Sequence, residues 1–176
     1  SGHINGKSFH NERLVRLTPF VMSLPLVLLV QFMLGGLVRH QGRALHEHLG
    51  MGIIAVILVV TAVILVSRLK IRWLSRPALG LLGFVVVQVL LGVGAWITKF
   101  GFASLGYVAV HESQSQVLFR SAHTVVGMLL LMTSIVLAVR FRRLQSVVDQ
   151  LKVDLRDSST NNNETMTPWM VTGGLR

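Results

Sequence analysis

Four apolar runs, Leu17 to Val38, Leu45 to Ser67, Pro77 to Thr98 and Gln116 to Val139, leave this chain few choices of fold. Each is about the 20 residues that a helix needs to cross the hydrocarbon core of a bilayer. Lipid offers no partner to an unpaired backbone N–H or C=O, so each run is expected to be a transmembrane helix. Pro25 lies inside the first run, where a kink is tolerable, and Pro77 sits in the first turn of the third, where its missing N–H costs nothing. The expected class is therefore all-α: an integral membrane four-helix bundle. Composition agrees, since 52% hydrophobic and 14% charged residues are too apolar a mixture for a soluble domain.

The formal net charge of +10 does not point to nucleic acid. Its Lys and Arg residues flank the apolar runs and form no basic face with interleaved aromatics. Lys7, Arg13 and Arg16 precede the first run, Arg68, Lys70, Arg72 and Arg76 surround the second connection, and Arg140, Arg142, Arg143, Lys152 and Arg156 follow the fourth. The opposite side carries Arg39, Arg43, Lys99 and Arg120. The positive-inside rule then places both termini on the cytoplasmic or matrix side and the first and third connections outside. Residues 1–16 are expected as an inner N-terminal segment without the features of a signal peptide, 17–141 as the membrane domain, and 142–176 as an inner tail. In that tail, Leu144, Val147, Val148, Leu151 and Leu155 have helical spacing and suit a helix lying on the membrane or on a partner. The Ser/Thr/Asn run Ser158 to Thr165 has no apolar periodicity and is expected to be mobile or to need a partner for order.

The sequence also repeats. Val30-Gln31-Phe32-Met33-Leu34-Gly35 in the first run matches Val87-Gln88-Val89-Leu90-Leu91-Gly92 in the third, and His48-x-x-x-Gly52 in the second matches His123-x-x-x-Gly127 in the fourth. The bundle is thus two tandem helical hairpins, parallel in the membrane. His48 and His123 should lie at similar depth near the outer ends of helices two and four. If those helices face each other, the two imidazoles can approach one centre, which is how paired histidines hold a b-type haem. Gly52 and Gly127 would leave room for a macrocycle close to the backbone, and Arg39, Arg43 and Arg120 could pair with its propionates. The absence of cysteine excludes thiolate metal sites, disulfides and covalent haem attachment.

Other residues compete with this reading. His46 rivals His48 but breaks the repeat. Gln31 and Gln88 suit hydrogen bonds across helices or contact with a bound ring, and Gly35, Gly36, Gly92 and Gly94 suit close helix packing. His40 and His111 fall in outer loops, His111-Glu112 lacks a third ligand for a metal, and His3 and His10 belong to a polar segment.

Val30 to Gly42, Val87 to Gly101 and Ser121 to Arg140, with LLGVGAWITKFG and RSAHTVVGMLLLMTSIVLAVR, resemble membrane helices of the haem A synthase family, the cytochrome oxidase assembly proteins of mitochondria and bacteria. The resemblance covers nearly all of the apolar region. Members of that family have two four-helix halves, each offering two histidines, and this chain has the length of one half. The family's catalytic half carries a glutamate three residues before its first ligand histidine. Here Leu45 and Arg120 stand at those positions, and Glu47 points to another face than His48.

The resemblance therefore implies the carboxy-terminal, cofactor-holding half. It would carry haem b, with its iron on His48 and His123, and serve oxidation of haem O to haem A by a partner half in the bacterial or mitochondrial inner membrane. No conversion of haem O by this chain alone is expected, although a stand-alone cytochrome passing electrons to a partner is also open. The alternative from a different class is a haem-free structural or assembly subunit of a membrane complex.

Overall fold

The computed structural model describes the backbone of residues 3–101, 108 and 113–166, with side chains from Leu14 through Ser158 over the same stretches, and Thr160. The described chain is four α-helices: α1 His3–Gln41, α2 Leu45–Arg68, α3 Arg72–Phe100 and α4 Gln114–Met166. All four are long and apolar enough to cross a membrane. Neighbours in sequence pack side by side, and α1 closes the ring against α4. The diagonal pairs α1–α3 and α2–α4 face each other across the bundle without backbone approach.

The α1–α2 and α2–α3 connections, residues 42–44 and 69–71, are short, so those helices must run antiparallel, and the contacts of Gly92 with His123 and of Gln88 with Gly127 show that α3 and α4 do the same. Gly42 and Ala44 turn the chain between α1 and α2 at φ 67° and 64°. Ala44 bears a Cβ in this left-handed region, and its carbonyl accepts the first bond of α2, from the His48 N–H at 2.9 Å. Lys70, at φ 55°, makes the equally tight turn into α3. Leu69 is buried beneath it and donates its N–H to the Val66 carbonyl, so this connection belongs to the packed core.

Buried apolar side chains occupy one half of the bundle's length. They are Leu14, Val21, Leu24 and Leu28 of α1, Ala55 to Val66 of α2, Leu74 to Val85 of α3, and Leu130, Leu137, Ala138 and Phe141 of α4. In α3 the sequence Leu74, Ala78, Leu81, Val85 steps by four, three and four residues, which keeps one stripe on the neighbouring helices. Without water to drive association, this dense packing is what holds membrane helices together. The half toward the α1–α2 and α3–α4 connections is built differently. Among the described residues it contains only Thr98 and Gln116 as fully buried side chains, with a layer of half-buried glutamine, histidine and glycine beneath them.

Two expectations about helix limits change. α1 extends back through the polar N-terminal segment to His3 and carries Pro19 as well as Pro25. α4 continues past the expected limit at residue 141 to Met166, through the expected tail helix and the Ser158 to Thr165 run. No glycine or proline interrupts the chain from Arg140 to Met166. Ser158 and Thr160 also turn their hydroxyls onto carbonyls four residues back. Leu144 and Val148 pack against the core, whereas Val147, Leu151 and Leu155 are exposed.

Candidate functional site

The repeated residues interlock within each hairpin. In the first, the ring of His48 lies against Gly35, where an added Cβ would stand 3.2 Å from Cε1, and the amide of Gln31 lies 3.1 Å from the equivalent point on Gly52. In the second, His123 lies against Gly92 at 3.2 Å and Gln88 against Gly127 at 3.1 Å. The pattern is Gln-x-x-x-Gly on one helix against His-x-x-x-Gly on its antiparallel neighbour. A spacing of four residues puts each pair on one helix face. Reversal of direction then sets glutamine opposite one glycine and histidine opposite the other.

Gly35 and Gly92 therefore accommodate imidazoles, and Gly52 and Gly127 accommodate glutamine amides. The last two do not form the open floor expected for a macrocycle. Phe32, from α1, also reaches Gly127 on α4, 3.7 Å from its Cβ position.

Hydrogen bonds tie the layer together unevenly. Gln31 Nε2 donates to the His48 carbonyl at 3.0 Å. On the other hairpin, His123 Nδ1 is 3.1 Å from the Gln88 carbonyl, and its Nε2 is 3.2 Å from Gln88 Nε2. Only one neutral tautomer satisfies both contacts: Nδ1–H donates to the carbonyl and the Nε2 lone pair accepts from the amide. A backbone acceptor on one ring nitrogen is the usual support of a histidine that ligates a metal through the other. His48 Nδ1 lacks such a bond and, with Gln31 Oε1 and Gln88 Oε1, is a buried polar atom without a hydrogen-bond partner.

The two imidazoles meet across the bundle. Their ring centroids are 6.3 Å apart and their planes are inclined at 76°. A separation of this size leaves room for a metal bound at about 2.0–2.1 Å from one nitrogen of each ring. Among the described residues no group of three His, Cys, Asp or Glu side chains could hold a metal. Two imidazoles alone would hold only a metal that brought its remaining ligands with it, as a haem iron would. The ring separation and the tautomer of His123 are compatible with such a group; the orphaned Gln31 and Gln88 amide oxygens, being acceptors, would gain nothing from it. His123 Nε2 would be available to such a group only in exchange for its contact with the Gln88 amide.

His48 lies in the first turn of α2, whereas His123 is more than two turns into α4. The second hairpin overhangs the layer. Arg39 crosses this layer's rim from α1, donating from Nη1 to Thr124 Oγ1 at 3.1 Å, beside His123. Arg120 is half-buried one turn from Thr124, and its carbonyl accepts the Thr124 hydroxyl at 2.9 Å. Arg43 is exposed in the first connection. His40, His46 and Glu47 are exposed and outside the layer. His111 and Glu112, and the side chains of His3, Lys7, His10 and Arg13, lie outside the described residues.

Sequence reading assigned no role to two residues near the layer. Thr124 anchors Arg39, and Phe119 stacks so closely on Gly94 that a Cβ there would collide with its ring. Neither belongs to the repeat, although Phe119 and Gly94 stand near His123 and Gly92 in sequence. No family model, curated protein or solved structure matches this chain.

Proposed function

We propose that this chain is a membrane module that binds one b-type haem through His48 and His123. The observation that carries the reading is the approach of two repeat-related imidazoles, at 6.3 Å between centroids, from diagonally opposed helices. Bound haem would supply one-electron redox chemistry. The Gln88 carbonyl sets the tautomer of His123 and leaves Nε2 as the lone-pair nitrogen, which accepts from the Gln88 amide and would be the one to hold the iron. Arg39, with Arg120 and Arg43 near the same end, would offer guanidinium donors to haem carboxylates.

The resemblance to haem A synthases extends this reading to the non-catalytic half of a haem O oxidising pair in cytochrome oxidase biogenesis. Leu45 and Arg120 replace the expected glutamate, so neither histidine has a base three residues before it. Another membrane subunit would supply that chemistry. The distribution of Lys and Arg supports a topology with both termini on the cytoplasmic or matrix side of an inner membrane.

A second reading is favoured by the Gln88–His123 contact, which satisfies the Nε2 lone pair without any ligand. Under it, the Gln/Gly and His/Gly interlock is a structural clamp in a haem-free assembly subunit. Reduced-minus-oxidised spectra and a pyridine haemochrome assay on the detergent-purified chain separate the two. About one low-spin haem b per chain is expected; a chain free of haem after expression with ample haem supply would favour the clamp.

A further inference from the structure

The end of the bundle opposite the histidine layer contains a second concentration of chemistry. Arg72, Trp73, Arg76 and Pro77, from the first turns of α3, and Arg140, from α4, line an open cavity of about 510 Å³. Arg140 is held in place from two directions: its Nη1 donates to the Trp73 carbonyl at 2.9 Å, and its guanidinium lies 5.1 Å from the centre of the Trp73 indole. One of its five N–H donors is thereby used, and the planar fork is oriented with the others still available.

Among the described residues, nothing compensates the charges in this cavity. Arg72 and Arg76 are one helical turn apart, a spacing at which like charges repel. Among the described residues, no carboxylate pairs with any of the three arginines. The sequence contains no Asp or Glu in residues 48–111 or 113–148, so neither helix can supply one within its membrane-spanning length. Three guanidinium groups around one concavity, one of them fixed by an indole, make a receptor for phosphate oxygens.

The position of the cavity distinguishes the source of that phosphate. Pro77 and Trp73 mark the beginning of the apolar span of α3, and Trp73 is 44% exposed, as expected of an indole in a headgroup region. Leu79 and Val86 of α3 and Val136 and Val139 of α4 continue from there as exposed apolar side chains. A phosphate in the cavity therefore lies where acyl chains attached to it can run along the bundle.

We infer that the Arg72–Arg76–Arg140 cavity binds the headgroup of an anionic phospholipid, preferentially one carrying two phosphates. Basic pockets between membrane helices are a recurrent solution for such headgroups. The site is far from the histidine layer and does not depend on haem being bound there.

Native mass spectrometry of the full chain, titrated with cardiolipin, phosphatidylglycerol or phosphatidylcholine, tests the proposal. Cardiolipin is expected to bind at least tenfold tighter than phosphatidylcholine, and Arg72→Gln/Arg76→Gln should remove most of that preference. Arg142→Gln/Arg143→Gln removes the same charge from exposed positions beyond the cavity and should leave it intact. Equal loss in both double variants would show diffuse attraction to a basic surface and overturn the proposal. Displacement of cardiolipin by millimolar inorganic phosphate would assign the cavity to a soluble anion and overturn it as well. Arg140→Lys keeps the charge but loses the planar fork, and should weaken cardiolipin severalfold while the folded chain persists; unaltered binding would contradict the assigned geometry.

Discussion

His48 and His123 belong to different hairpins, yet their rings stand 6.3 Å apart and inclined at 76° across the bundle. Each is seated on a glycine of its own hairpin partner, Gly35 for one and Gly92 for the other. The approach is therefore a product of two repeat-related local arrangements brought together by the packing of α1 on α4 and α2 on α3.

If these imidazoles are axial ligands, His48→Ala and His123→Ala each abolish tight haem retention, and His46→Ala leaves it intact. Haem content per purified chain, by pyridine haemochrome assay, is the measurement. Full retention in either ligand variant would rule out the pair.

Gln88→Leu separates the cofactor from the clamp. Removing the amide takes away the group that occupies His123 Nε2 while keeping the backbone carbonyl that orients the ring. A haem-binding chain should retain haem as well as before, or better. A clamp should lose stability by about 0.6–1.7 kcal/mol, the range measured for hydrogen bonds between membrane helices. Unfolding in mixed micelles, beside haem content, reads both.

The contact of Phe119 with Gly94 predicts a stability change remote from any ligand. Gly94→Ala would drive a methyl group into the Phe119 ring and should cost about 1–3 kcal/mol. Gly36→Ala meets nothing within 4 Å and should be neutral or more stable by up to about 1 kcal/mol, because alanine is the better helix former. Combining Gly94→Ala with Phe119→Leu should recover part of the loss; equal stability of the two single alanine variants would contradict the packing.

The extension of α4 should divide into two parts. Truncation after Asp149 keeps Leu144 and Val148 on the core and should leave the unfolding midpoint unchanged. Truncation after Arg143 removes both and should cost on the order of 1–2 kcal/mol, a fraction of two fully buried apolar side chains. Circular dichroism melts of the two truncated chains provide the comparison.

Much of the fold was legible because each of its causes is local. A run such as Leu45 to Ser67 contains its own requirement for a helix, since lipid cannot satisfy its backbone. The repeat of Gln31 to Gly35 at Gln88 to Gly92, and of His48 to Gly52 at His123 to Gly127, likewise identified the hairpins and the residues at matching depth. The same local view ended the fourth membrane helix near Val139, because the continuous apolar run ends there, whereas helix propagation continues wherever no residue breaks it.

What sequence alone determined is the set of four apolar helices, their grouping into two hairpins, and the pairing of His48 with His123 by position. Only tertiary structure decided what each repeated residue touches: that Gly52 and Gly127 receive glutamine amides, that Gly35 and Gly92 receive imidazoles, and that Arg140 closes on Trp73 to complete a basic cavity. Helical periodicity specifies which residues share a face. The partner of that face depends on rotation and crossing of two helices, and these are set jointly by all the side chains packed between them.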